Sequence, residues 1–315
     1  GRWASTTQPP RGDGAEAGSA GGADDHGRGS GGDGGAARGA RSGGDTATHF
    51  GFSTVAEGEK AELVGDVFRR VANNYDVMND FMSAGVHRLW KDEFVRMLMP
   101  IADPRFDTSV KLLDVAGGTG DIAFRVADAA VAAGLRGRTD VEITVSDINA
   151  SMLGVGRERA RARGYGEGRG GEAPFPRFVW QEADAEALPF DDNTFDAYTI
   201  SFGIRNVTHV DAALREAARV LKPGGRFMCL EFSRVEHDVL RQVYDAYSFN
   251  VVPLLGAVVA DDRDAYQYLV ESIRRFPPQR EFAAMLRGAG LVAVTHTDMT
   301  FGVVAVHSGI KPAAA

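Results

Sequence analysis

The stretch Leu112-Leu113-Asp114-Val115-Ala116-Gly117-Gly118-Thr119-Gly120-Asp121 decides the fold. A short apolar run suited to a buried strand meets a glycine-rich turn, and an Ala-rich stretch from about 121 to 134 then reads as a helix. Glycines in such a turn let the backbone approach a ligand closely. Outward from it, short β-rich runs at 110–116, 141–146, 177–181, 195–202 and 226–232 alternate with Ala/Arg/Glu-rich helical stretches, the later two near 150–163 and 210–221. That alternation implies a parallel sheet with helices on both faces. Lys222-Pro223-Gly224-Gly225 is expected as the turn that feeds the last of these strands.

The end of the chain differs. A helix around 279–288 stops at Gly288 and Gly290, and Leu291 to Thr297 and Phe301 to His307 follow with a short link. Two strands this close pair antiparallel, because a parallel return needs a crossover of roughly a dozen residues. The fold predicted is α/β and Rossmann-like: a seven-stranded, mostly parallel sheet with a C-terminal antiparallel hairpin, the shape of class I methyltransferases rather than of dehydrogenases. Residues 57–100 carry helical apolar spacing through Val64, Val67, Phe68 and Val71, then Met78, Phe81 and Met82, then Leu89, Trp90, Phe94 and Leu98. They are expected as N-terminal helices that cover the sheet. Residues 1–48 hold almost nothing large and apolar, so burial there cannot offset the entropy of ordering. The expected division is a disordered, transit-like leader at 1–48 and one catalytic domain at 49–315. Arg2, Arg11, Arg28, Arg38 and Arg41 suit an organelle leader, whereas six acidic residues in the same segment depart from the acid-poor pattern.

Charge separates the two ligands that a glycine-rich turn can serve. A dinucleotide brings a pyrophosphate, and a carboxylate such as Asp114 about 6 Å away would repel each phosphate charge by roughly 2 to 3 kcal/mol at an effective dielectric of ~20. S-adenosyl-L-methionine brings an ammonium and a sulfonium, which acids at Asp114 and Asp121 favour or tolerate. Asp121 alone reads equally well as a cap of the helix behind it. Thr144-Val145-Ser146-Asp147 ends a strand in an acid 27 residues after Gly120, where a carboxylate can grip both ribose hydroxyls. The competing reading of Asp147 is an ordinary strand-end acid. Asp184 with Ala185, after the third strand, suits the adenine edge. Ser201 and the run Phe202-Gly203-Ile204-Arg205-Asn206-Val207 end the strand nearest the transferred methyl.

Composition excludes other classes. A net charge of −8 argues against a nucleic-acid partner, which demands clustered Lys and Arg. The lone Cys229, in the apolar run Phe227-Met228-Cys229-Leu230, reads as core, and with one cysteine there is neither a disulfide framework nor a metal-spaced cluster. The longest apolar candidate, Val251 to Ala260, contains Pro253 and Gly256 and would be only ~15 Å long as a helix, too short to cross a bilayer.

Four segments sharpen the reading: Tyr75-Asp76-Val77-Met78-Asn79-Asp80 with Gly85-Val86-His87-Arg88-Leu89-Trp90-Lys91, Ser201 to Val207, Tyr244-Asp245-Ala246-Tyr247-Ser248-Phe249, and Tyr266 to Pro277. Together with the turn they resemble the ubiquinone and menaquinone biosynthesis C-methyltransferases, from His49 to about Lys311. Thr48-His49-Phe50-Gly51-Phe52 looks like the mitochondrial branch of that family. The resemblance implies C-methylation of a polyprenyl methoxy-benzoquinol with S-adenosyl-L-methionine. It also implies a peripheral place on the matrix side of the mitochondrial inner membrane, other ubiquinone-biosynthesis proteins as partners, and a homodimer as one candidate assembly. A demethylmenaquinol substrate and a cofactor-binding structural subunit are the alternatives. By motif position it assigns Thr119, Asp147, Asp184, Ala185 and Ser201 to the cofactor, beside Asp114, Gly117 and Gly120 of the turn. Arg205 is expected to hold a developing phenolate, with Tyr75, Asn206, Asn79 and Tyr244 orienting the ring; a salt bridge is the alternative for Arg205. His209 is a second candidate base, with capping as its competing role. The Gly/Arg-rich insert at about 163–174 departs from the family pattern and is expected as a surface loop. The apolar stretches 77–99 and 240–260 are expected to cover the substrate tail, core and subunit interface being their alternatives.

Overall fold

The computed structural model describes residues 47–71, 83, 85–98, 109–136, 140–165, 175–236, 238–255 and 263–313. Alternation along the sequence becomes seven strands in one sheet: β3 (Ser109–Val115), β4 (Asp140–Asp147), β5 (Arg177–Glu182), β6 (Phe195–Ser201), β7 (Leu221–Phe232), β8 (Val292–Met299) and β9 (Val304–Ile310), in the order β5-β4-β3-β6-β7-β9-β8. The chain builds outward from β3 to β5 and then returns to lay β6 on the other flank of β3. The order therefore reverses between β3 and β6, and open α/β sheets take ligands at such a crevice. The terminal hairpin holds, with a detail beyond the expectation. β9 inserts between β7 and β8 and runs antiparallel to both, so β8 lies parallel to the rest.

Successive strand residues point to opposite faces, and the two apolar clusters follow from that. Leu112, Ile143, Val145 and Met228 join one cluster with Trp90, Phe94, Ile122 and Leu269, while Leu113, Val115, Ile200 and Cys229 join the other with Leu214, Ala217 and Phe282. The helices that supply them are α2 (His87–Leu98), α3 (Asp121–Ala132), α8 (Arg263–Arg275), α5 (Val210–Val220) and α9 (Gln279–Gly288), with α4 (Ala150–Ala162) beside β4 and β5. α6 (Asp238–Asn250) and the short α7 (Val252–Leu255) complete the described helices together with α1 (Glu57–Val71). Cys229 is a free, fully buried thiol, as the apolar run around it requires. Among the described residues no helix is long and apolar enough to cross a membrane.

Two expectations change. Lys222 to Gly225 do not form a separate turn: β7 runs from Leu221, and between the pairs Phe195–Leu221 and Ala197–Arg226 the single residue Asp196 of β6 faces Lys222 to Gly225 of β7 across a bulge. Gly224 has φ +80°, and its N–H and the Gly225 carbonyl both pair with Lys311, so the chain end closes the bulge. The second change lies upstream, where β1 (Ala47–Phe50) and β2 (Ser53–Ala56) form an antiparallel hairpin just before α1. This hairpin was not expected from the sequence; its backbone pairs from Ala47 to Ala56, and Phe50 stacks on Tyr268 at 4.2 Å. Residues 1–46 and most of the 163–174 insert lie outside the described residues.

Candidate active site

The cavity lies at the carboxyl ends of β3, β4, β5 and β6, with about 1290 Å³ of empty space including its mouth. Val64 and Gly65 of α1 and Lys91 of α2 also line it, so the N-terminal covering helices reach the site. Its ionisable lining is lopsided: Asp114, Asp121, Asp147, Asp184 and Glu186 against Lys91 as the one cation among the described lining residues. Two strand ends bordering it are strained, with Ala116 at φ +50° and Phe202 at φ +55°. Non-glycine residues in that region cost about 1 to 3 kcal/mol each and persist where the surroundings over-determine them.

The turn is held from beneath. A Cβ on Gly117 would stand 2.6 Å from Val145 Cγ1 and 3.0 Å from Asp114 Oδ2, so a side chain there would push the turn off the sheet and into the cavity. Gly118 N–H donates to Asp147 Oδ2 at 2.9 Å, and Asn149 N–H donates to Oδ1 at 2.8 Å. Burial raises the Asp147 carboxyl above its ordinary value, against the pull of those two donors. Asp114 is fully buried; Thr199 donates to its Oδ1 at 2.8 Å, and its Oδ2 has no partner. Burial, reinforced by the charges of Asp121 and Asp147 and opposed by the Thr199 bond, pushes its carboxyl up to about 7. Ser201 Oγ also lines the cavity without a partner. Orphaned buried oxygens at strand ends suit a ligand that brings donors and positive charge. Thr119 lines the cavity while its hydroxyl accepts from Arg159 at 3.0 Å. Asp184 Oδ1 accepts from the Glu186 N–H at 2.9 Å, which shapes the loop where Ala185 meets the cavity.

Of the residues singled out in the sequence, Asp114, Gly117, Thr119, Asp147, Asp184, Ala185, Ser201 and Asn206 come together here. Gly120 does not line the cavity; its φ of +86° ends the turn, and the space a Cβ would need lies 3.0 Å from the Trp180 ring. Asp121 makes no helix cap, since Gly120 holds that position without a side-chain bond. It binds Lys91 Nζ at 2.7 Å and Arg125 Nε at 3.2 Å instead. Burial alone would raise its carboxyl, but those two cations outweigh it and hold it below the usual range.

Arg205 is the main revision. After β6 the chain tightens into a 3-10 turn over Ile204–Asn206, which turns Asn206 toward the cavity and leaves Arg205 outside its lining. Arg205 Nη1 binds Glu231 Oε1 on the neighbouring β7 at 2.9 Å and donates to the Phe202 carbonyl at 2.6 Å. Both side chains are buried, at 3% and 1% exposure, so the salt bridge expected as the alternative is what forms. Tyr244 also misses the cavity. It sits on α6 beneath Arg274 of α8, whose guanidinium lies 5.8 Å from its ring centre, and its hydroxyl pairs with Ser248. His209 is no free base: Nδ1 lies 2.6 Å from Glu186 and Nε2 3.1 Å from Glu57, and those two bonds raise its pKa. It braces the start of α1 against the loop that carries Glu186. Tyr75 and Asn79 lie outside the described residues.

Sequence reading missed four contributors. Thr199 holds Asp114, Lys91 pairs with Asp121, Glu231 pairs with Arg205, and the Tyr268 hydroxyl donates to Asn206 Oδ1 at 3.0 Å. Glu231 did leave a signal, as a lone acid inside the apolar run Phe227 to Phe232, which needs a buried partner.

With this geometry in place, comparison with known proteins is decisive. Residues 54–311 match the ubiE/COQ5 methyltransferase family. The chain belongs to that family. It is 53% identical to the mitochondrial 2-methoxy-6-polyprenyl-1,4-benzoquinol methylase of Arabidopsis thaliana over 273 residues, covering 84% of this chain and 90% of the relative. It is 55% identical to the ubiquinone/menaquinone biosynthesis C-methyltransferase UbiE of Brucella anthropi over 262 residues, covering 83% and 92%. Among solved structures, an S-adenosylmethionine-dependent methyltransferase from Thermotoga maritima, described as a possible histamine N-methyltransferase, shares the fold with a TM-score of 0.51 at 18% identity, over 78% of this chain and 98% of that one. The methyltransferase fold expected from the glycine turn and terminal hairpin is thereby confirmed, and dehydrogenase architecture is set aside.

Proposed function

We propose that this methyltransferase moves a methyl group from S-adenosyl-L-methionine to a ring carbon of a polyprenyl methoxy-benzoquinol during ubiquinone biosynthesis. The observation that carries the reading is the lining itself: five carboxylates around one lysine at the switch point of the sheet suit a cationic donor and oppose a phosphorylated one. The names of the two relatives supply the substrate class. S-adenosyl-L-methionine, when bound, supplies an electrophilic methyl on a sulfonium. Asp147 would take the ribose hydroxyls, Asp184 and Ala185 the adenine edge, and Asp114, Ser201, Thr119 and the turn the amino-acid end.

On the acceptor side a ring carbon becomes nucleophilic when its neighbouring hydroxyl gives up a proton to water. After the methyl leaves sulfur for that carbon, the carbon's own hydrogen departs as a proton to water and restores the aromatic ring. The bond from Tyr268 occupies Asn206 Oδ1, which leaves the Asn206 amide N–H groups for a ring oxygen. Arg205 acts as a positioning residue: its grip on the Phe202 carbonyl fixes the turn that presents Asn206. Tyr75 and Asn79 remain proposed as groups that orient the ring.

The same reading assigns residues 1–48 to a leader and 49–315 to the enzyme. It places the protein peripherally on the matrix side of the mitochondrial inner membrane among other ubiquinone-biosynthesis proteins, with a homodimer as one candidate assembly. The word mitochondrial in the Arabidopsis relative's name supports the compartment. Incubation of the full chain with methyl-labelled cofactor and short-tailed demethyl benzoquinols and naphthoquinols tests the reaction. Label is expected on a ring carbon of the benzoquinol. Cofactor bound but no label on any quinol would instead favour a structural subunit.

A further inference from the structure

The cavity presents five acids to a donor whose amino-acid end carries both an ammonium and a carboxylate. An unanswered carboxylate among those acids would lose much of the affinity that the ammonium gains. Sheet order fixes where it must go. An adenosine held by Asp147 on β4 and Asp184 after β5 leaves the amino-acid end over β3, the next strand inward, and α3 opens there at Asp121. Lys91 stands at that end, on α2 of the covering segment, its side chain only 6% exposed and its Nζ 2.7 Å from Asp121 Oδ2.

We infer that Lys91 is the carboxylate anchor of the cofactor, an inference that rests on the proposed methyl donor. Its ammonium is free to turn because Asp121 keeps a second cation, Arg125, whose Nε lies 3.2 Å from Oδ1 and which also pairs with Asp92. A four-carbon stem with three rotatable donors suits such a swing from Asp121 to a ligand oxygen. Asp114, at the base of the same end with Oδ2 unpartnered, answers the ammonium. The two ends of the zwitterion are thus read by elements of different origin, Asp114 by the sheet and Lys91 by the N-terminal cover.

Decarboxylated S-adenosylmethionine, which lacks only the carboxylate, isolates this contact. Dissociation constants of both donors are measured on the full chain, with Lys91→Met and Lys91→Arg, each checked for an unchanged melting transition and circular dichroism. Wild type is expected to prefer the intact donor by about ten- to a hundredfold, the worth of a charge-assisted bond. Lys91→Met is expected to lose that preference by weakening the intact donor alone, and Lys91→Arg to recover part of it. Equal weakening of both donors in Lys91→Met would overturn the inference in favour of a packing role, and no weakening of either would overturn it outright. A wild-type chain that binds neither donor overturns the cofactor assignment, and the anchor with it.

Discussion

Arg205→Ala is expected to destabilise the protein by about 3 to 5 kcal/mol and to abolish methyl transfer. The partner left behind is the reason. Glu231 is 1% exposed, and without the guanidinium its carboxylate keeps only backbone donors, Phe232 N–H at 2.8 Å and the residue-205 N–H at 3.4 Å. Burial already raises the Glu231 carboxyl against the pull of Arg205, so its loss lets the group take a proton, and the variant should be hurt less at acidic pH. For a domain of this size the loss corresponds to a melting temperature lower by roughly 10 °C at neutral pH. Adding Glu231→Gln removes the stranded charge and should recover much of that temperature. Turnover should stay absent in the double variant, because the Phe202 carbonyl still lacks the bond that fixes the turn carrying Asn206. Melting scans and labelled-methyl assays on the two variants check this. Near-wild-type turnover in the double variant would show that Arg205 serves stability alone.

Asp114→Asn should separate stability from binding. With its carboxyl at about 7, Asp114 carries a proton in the native protein between about pH 4 and pH 7 that the unfolded chain has released. The native state is therefore favoured at the acid end of that window, and stability falls as pH rises through it. Asparagine lacks this titration, so the variant should melt several degrees higher than wild type at pH 8 and show little gain near pH 4. Binding moves the other way. A cationic donor prefers the ionised carboxylate, so wild-type affinity should rise between pH 6 and pH 8, and binding at pH 7 should release a fraction of a proton. Titration calorimetry in buffers of differing ionisation enthalpy measures that release. Asp114→Asn should bind about tenfold or more weakly, with no proton release and a flat pH profile. A wild-type affinity that ignores pH across this range would remove Asp114 from the donor site.

Much of this was legible in residue order, and the reasons are local. A glycine turn between a strand and a helix, two acids at strand ends and a closely spaced terminal pair each obey short-range rules, and the structure keeps Asp114, Asp147 and Asp184 on one cavity. Side-chain direction was not legible. Whether Arg205 or Asn206 faces the cavity depends on the 3-10 turn after β6, and the partner that draws Arg205 away stands 26 residues later on another strand. Tyr244 failed for the same reason: its helix face is chosen by α8, which follows it in the chain. Lys91 and Tyr268 stood within segments whose resemblance was already noted, but only the fold shows what their side chains reach. The β1–β2 hairpin escaped because its strands are four residues each and alternate weakly.

Competitive calorimetry with S-adenosyl-L-methionine and with a nicotinamide dinucleotide, on the same full-length sample at low salt, weighs the electrostatic argument directly. Saturable heat from the sulfonium compound and none from the dinucleotide is the predicted outcome. Tight uptake of the dinucleotide with no response to the sulfonium compound would contradict it.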